Sequence, residues 1–141
     1  MKKTIMLFAG TTEGRRICEF LAVKKCITHV YVTTEYGKEL LPGQNNVHIH
    51  VWKMDEGQMS DEIKAIHPDI VIDATPPYAT QVTHNIKEAC DSRHIFYVRV
   101  LREENTEKAG NNADNIIYTE TMKDAVRLLN EDRFIHKNVL M

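Results

Sequence analysis

Apolar runs of strand length alternate with segments of helical period along this chain. The runs predict strands at Thr4 to Ala9, His29 to Thr33, Val47 to Val51, Ile70 to Asp73, Phe96 to Val98 and Ile116 to Tyr118. Between them the spacing predicts helices over Glu13 to Val23, with Ile17 and Leu21 on one face, and over Gln58 to Ile66. Two more are predicted: Gln81 to Asp91, where Val82, Ile86 and Ala89 recur at helical intervals, and Met122 to Asn130, through Met122, Val126 and Leu129. Strand and helix taking turns in this way predict an α/β fold, a Rossmann-like doubly wound parallel sheet with helices on both faces in three αβα layers. Such sheets receive ligands at the carboxyl ends of their strands, where the strand order reverses. The corners that follow strands are therefore where chemistry is expected.

Composition narrows the class. A chain of 141 residues, 43% hydrophobic and 27% charged, fits one soluble globular domain. A net charge of -2 with scattered Lys and Arg gives no reason to expect nucleic acid. Cys18, Cys26 and Cys90 form no CxxC pair and leave an odd count, which implies buried thiols and a cytoplasmic location rather than a disulfide framework. The apolar run in "MKKTIMLFAG" is too short for a secretory signal and leads into "TTEGRR", so it is read as a first strand. No segment approaches the length of a membrane span. Residues 1–135 are expected to form one dinucleotide-binding domain. The closing "KNVLM" resembles the opening of another strand, so 136–141 are expected to begin a second α/β domain that the chain truncates. An apolar edge left in this way would favour self-association into a homo-oligomer.

Four corners carry candidate chemistry. In "FAGTTEGRR" a strand enters a loop with Gly10 and Gly14 and then a helix, which leaves helix N-terminal amides to hold an anion. The glycines allow a tight turn and close approach of a phosphate, and the Thr11 and Thr12 hydroxyls can donate to it. G-x-x-x-G is a loose variant of the dinucleotide fingerprint; the same glycines would also serve a plain strand-to-helix turn, and no G-K-S/T follows to make a Walker loop. In "VTTEYGKELLPG", Thr33 and Thr34 stand where a carboxylate would mark NAD, and neutral hydroxyls with Arg15 nearby favour NADP(H), while Glu35 directly after them is a carboxylate that could face either way and leaves NAD open. In "VIDATPPYATQVTHN", Pro76 and Pro77 stiffen the turn after a buried strand, which suits a nicotinamide or substrate wall as well as a simple helix boundary. In "YVRVLREEN", Arg99 and Arg102 follow a strand and are spaced to receive carboxylates. His48 and His50 share one strand face but lack a third ligand, so a polar face is expected there and no metal site. Tyr97 and Tyr118 lack the lysine four residues on that a short-chain dehydrogenase needs, and no Ser-His-Asp order or nucleophile elbow is present.

Taken in order, "GTTEGR", "TTEYGKELLP", "VIDATPPYATQVTHNIKEAC" and "YVRVLRE" resemble the precorrin-6A reductase family of cobalamin biosynthesis over about the whole chain. The resemblance implies NADPH-dependent reduction of a macrocycle double bond of precorrin-6A or its cobalt form, with substrate held between two α/β halves of which this chain is the first. It assigns cofactor binding to Gly10, Thr11, Thr12, Gly14 and Arg15, to Thr33, Thr34, Tyr36 and Gly37, and to Ala74, Thr75 and Pro77. It assigns the polycarboxylate tetrapyrrole to Tyr78, Arg99 and Arg102. Asp73 to Ala79 match a D-A-T-H-P-F/Y-A motif except that Pro76 replaces the histidine, and Glu103 replaces the proline of an R-x-x-R-P motif, so no catalytic acid is named. Another NAD(P)-dependent Rossmann oxidoreductase or epimerase, or a non-catalytic dinucleotide-binding module, is the alternative expectation.

Overall fold

The computed structural model describes residues 2–102 and 120–129, and the chain divides into two units, Met1–Glu103 and Glu104–Met141. The first unit runs β1 (Lys3–Phe8), α1 (Thr12–Ala22), β2 (Cys26–Val32), α2 (Glu35–Glu39), β3 (Val47–Val51), α3 (Glu56–Ile66), β4 (Ile70–Asp73), α4 (Thr80–Asp91) and β5 (Phe96–Arg99). Its strands form one parallel sheet in the order β3-β2-β1-β4-β5. The order reverses between β1 and β4, which pair from Ile5 opposite Ile70 to Phe8 opposite Asp73.

Strand β1 is central and covered on both sides, which is why its sequence reads as an unbroken apolar run rather than an alternation. Met6, Phe8, Tyr31 and Val71 turn to one face and pack under Met59 and Ile63 of α3 and Ile86, Ala89 and Cys90 of α4. Leu7, Val30, Val32 and Val47 turn to the other, against Cys18 of α1. Full burial of Leu7 or Ile86 contributes about 1.5–3 kcal/mol each. All three cysteines are buried and free, and burial pushes the Cys18 and Cys90 thiols up to about 11. Among the described residues no helix is long and apolar enough to cross a membrane.

Several boundaries differ from the pattern-based expectation. Strand β2 begins at Cys26 rather than His29, because Thr28 is fully buried and its amide donates to Asn46 O at 2.8 Å. Helix α3 begins at Glu56 rather than Gln58, fixed by a capping box in which Asp55 and Gln58 exchange side-chain and backbone hydrogen bonds. Helix α2 was not expected. In the second unit, α5 (Met122–Leu129) follows Thr121, whose Oγ1 accepts from the Asp124 amide at 3.2 Å. The strand expected at Ile116 to Tyr118 and the domain boundary expected after residue 135 lie outside the described residues.

The β2–β3 end of the sheet carries a polar cluster on the face that α3 and α4 cover elsewhere. His29 Nδ1 and His50 Nε2 share a hydrogen bond at 3.2 Å, the Tyr31 ring stacks on His50 at 4.6 Å, and Tyr31 donates to Glu62 Oε1 at 2.6 Å. His48 ring-packs against His29 as well, so the polar face expected from His48 and His50 includes a third imidazole. Among the described residues no group of three such side chains is arranged to hold a metal ion.

Burial, with the neighbouring imidazoles, lowers the pKa of both His29 and His50, although Glu62 pulls in the opposite direction. The unfolded chain therefore takes up these protons first, and stability is lost as pH falls through about 6.5 toward the lower folded values. Denaturant unfolding at pH 7.5 and pH 5.5 will show this loss, and His29→Asn/His50→Gln will flatten it. An unchanged pH slope in the double variant would remove the pair as its cause.

Candidate functional site

The first corner is shaped by two glycines. Gly10 has φ +152, a conformation that side-chain-bearing residues rarely adopt, and a Cβ there would lie 3.3 Å from Pro76 Cδ. At Gly14 a Cβ would meet the Ala9 backbone at 3.1 Å and Ala74 Cβ at 3.3 Å, so α1 lies directly on the sheet at the β1/β4 divide. Thr11 caps α1: its Oγ1 accepts from the Gly14 amide at 3.1 Å and donates to Ala74 O at 2.9 Å. That hydroxyl, expected to face a ligand, ties the first corner to the third.

At the second corner Thr34 caps the five-residue α2, its Oγ1 accepting from Gly37 N at 3.0 Å. Thr33 and Tyr36 are exposed, Tyr36 at 70%. The turn of helix packs Leu41 against the cluster that holds Val32 and sets Leu40 in the same lining.

The third and fourth corners form one hydrogen-bonded block. Asp73, at the end of β4, is fully buried. Its Oδ1 accepts from the Thr75 amide at 3.0 Å, the Thr75 hydroxyl at 2.7 Å and Arg99 Nη1 at 2.7 Å, while Oδ2 accepts from Tyr97 OH at 3.0 Å. Burial, then the Asp73 charge, pushes the Tyr97 phenol well up, so it stays a donor. Arg99 Nη1 also donates to Thr75 O at 2.9 Å, and Nη2 donates to Pro76 O at 3.3 Å. Arg102 reaches across to the first turn of α1, where its Nε donates to Glu13 Oε1 at 2.9 Å. This pairing holds the Glu13 carboxyl below its ordinary range and raises Arg102.

These corners enclose a cavity of about 560 Å³ at the carboxyl edge of the sheet. Gly10, Thr11, Thr12 and Arg15 line it from the first corner, and Thr33, Thr34, Tyr36 and Gly37 from the second. Thr75, Pro77, Tyr78 and Arg102 complete the expected set. Gly14 and Ala74 lie beneath as buried support, and Arg99 is turned into the Asp73 block instead of the lining. Glu13, Leu40 and Leu41 line the cavity and were not expected. The two leucines arrive only because α2 forms, and the Thr34-to-Gly37 cap was its readable signal.

An open parallel sheet with a glycine loop between its first strand and first helix, and a cavity over the point where strand order reverses, defines a Rossmann-like α/β unit. Solved structures agree on the fold: a CobK precorrin-6A reductase superposes with TM-score 0.60 at 22% identity over 72% of this chain and 39% of its own. The Bordetella bronchiseptica enzyme WbmH, solved in complex with NAD+, gives TM-score 0.57 at 17% identity over 67% of this chain and 37% of its own. Residues 4–141 match the model of the family described as precorrin-6x reductase CbiJ/CobK, and the chain belongs to that family. It is 33% identical over 126 residues to a cobalt-precorrin-6A reductase of Methanocaldococcus jannaschii, covering 88% of this chain and 48% of the relative. Another from Salmonella typhimurium is 30% identical over 100 residues, 71% of this chain and 38% of the relative. The chain thus spans less than half the length of these relatives.

The positive φ of Gly10 and its contact with Pro76 predict that Gly10→Ala strains the turn by about 1–3 kcal/mol. Thermal or denaturant unfolding measures this directly. A variant as stable as the parent would show that the turn relaxes freely.

Proposed function

We propose that this chain is the dinucleotide-binding half of a cobalt-precorrin-6A or precorrin-6A reductase, an enzyme that uses NADPH to reduce a double bond of a corrin precursor in cobalamin biosynthesis. The observation that carries the reading is the cavity over the β1/β4 divide in a chain of this family. Its size lies within the roughly 300–1,000 Å³ of small-molecule sites.

The residues present suit a dinucleotide. Gly10 lets the backbone approach a pyrophosphate, and of the first-turn amides of α1 Gly14 is taken by the Thr11 cap while those of Thr12 and Glu13 have no intrahelical acceptor. Val32, Leu40 and Leu41 offer an apolar surface to an adenine ring. Thr33 and Thr34 place neutral hydroxyls where an acidic residue would repel a 2'-phosphate; Thr34 Oγ1 accepts from Gly37 and retains its own hydrogen to donate. Arg15 has an Nε without a hydrogen-bond partner, 3.7 Å from a carboxylate oxygen of Glu19, and lines the same cavity as Thr33 and Thr34, so its guanidinium is the cation proposed for an added phosphate. With the adenosine end at the second corner, the reactive end falls toward Thr75, Pro77 and the exposed Tyr78. Tyr78 and Arg102 are then the residues offered to the polycarboxylate macrocycle.

When bound, the dinucleotide supplies a hydride. The chain's own residues bind it, orient it and hold the wall beside it, so catalysis rests on positioning. Pro76 packs its ring against Gly10 and contributes no titratable group to that wall.

Calorimetric titration of the chain with NADPH and NADH tests the cofactor assignment. NADPH is expected to bind at least about tenfold more tightly, and Thr33→Glu, a carboxylate beside the added phosphate, to abolish that preference. Equal affinities would overturn the NADP preference, and absence of binding by either nucleotide to folded chain would overturn the site.

A further inference from the structure

We propose that Arg99 is a positioning residue of the cofactor site: its guanidinium pins the Thr75–Pro76 wall against the Gly10 loop, so its charge serves the corner and not a substrate carboxylate. The inference rests on reading the cavity as the dinucleotide site.

Where β4 ends, the backbone leaves the sheet and its carbonyls lose their ladder partners, while Pro76 and Pro77 have no amide hydrogens to give. Asp73 O is taken by the Val100 amide at 2.8 Å and Pro76 O by the Ala79 amide at 3.0 Å, which leaves Thr75 O without a backbone donor among the described residues. Arg99 fills this deficit. Nη1 donates to Thr75 O at 2.9 Å and to Asp73 Oδ1 at 2.7 Å, and Nη2 donates to Pro76 O at 3.3 Å. Its side chain is only 17% exposed, against 67% for Arg102.

The clamp connects to the cofactor loop by two contacts. The Pro76 ring bears on Gly10, where a Cβ would come within 3.3 Å, and Ala74 O receives the Thr11 hydroxyl at 2.9 Å. Holding Thr75 and Pro76 therefore holds the distance between the two sides of the cavity before any ligand arrives, which lowers the ordering cost of binding. Only a planar fork reaches both carbonyls and the carboxylate together. Lysine, with one ammonium on a flexible stem, keeps the charge but loses that geometry.

The test compares two probes on the chain: NADPH, which extends to the Thr75–Pro77 wall, and adenosine 2'-monophosphate, which lacks the pyrophosphate and reaches only the second corner. Arg99→Lys is expected to weaken NADPH at least about tenfold while leaving the fragment's affinity unchanged. General destabilisation would weaken both, and a substrate-contact role would weaken neither; each of these outcomes overturns the proposal. If Arg99→Lys does not fold, Asp73→Asn/Arg99→Gln removes the buried charges together and is expected to give the same split. Failure of both probes to bind the unaltered chain overturns the cofactor-site reading and this proposal with it. Loss of NADPH preference over NADH, with the probe split intact, overturns only the 2'-phosphate assignment.

Discussion

A carboxylate with no exposure to water must be neutralised where it stands, and Asp73 is placed where the sheet changes direction. Isolated, such a charge costs several kcal/mol. Its compensation comes from two neighbours in space: Thr75, in the turn that follows, and the Tyr97–Arg99 end of β5. The register that sets Asp73 opposite Arg99 is thus required by electrostatics as well as by the backbone ladder. With β1 on its other side, Asp73 lies opposite Phe8, two residues before the glycine loop begins. Strand order, corner shape and the floor of the cavity meet at this one carboxylate.

The alternation of apolar runs and helical periods made the doubly wound sheet legible, because β1 and β4 are short apolar runs bounded by polar turns and β3 alternates Val and Ile with His. What the pattern did not carry was partnership between distant residues. Arg99 and Arg102 looked equivalent as cations three positions apart at a strand end, yet one is turned into the sheet edge and the other across to Glu13. That difference depends on which strand lies beside β5, and local sequence does not state it. Thr11 and Thr34 were legible as corner hydroxyls near a ligand, but each first satisfies an amide at a helix start. Hydroxyl residues three positions before a glycine were the available signal. Helix α2 escaped because five residues containing a glycine show no period.

The site's geometry is built from contacts that no ligand supplies. Thr11 joins the first corner to Ala74, Pro76 leans on Gly10, and Arg99 holds Thr75 and Pro76. A cleft braced in this way can be formed before binding, and the stiffness of consecutive prolines serves the same end. Chemistry that depends on holding two carbon centres at a fixed approach needs this kind of frame more than it needs a reactive side chain.

Glu13 gives the cleft one further property. Its carboxylate is in the first turn of α1, at the positive end of the helix dipole, and it is paired with Arg102. The helix end and the arginine therefore already have an anion, one tethered to the chain and present at high local concentration. On the proposed dinucleotide reading, a phosphate arriving at this helix end would displace Glu13 by exchange, which favours an anion of greater charge density or with more oxygens than a carboxylate. A tethered competitor of this kind would work as a threshold, leaving small stray monoanions at a disadvantage against a ligand whose phosphates engage several groups at once.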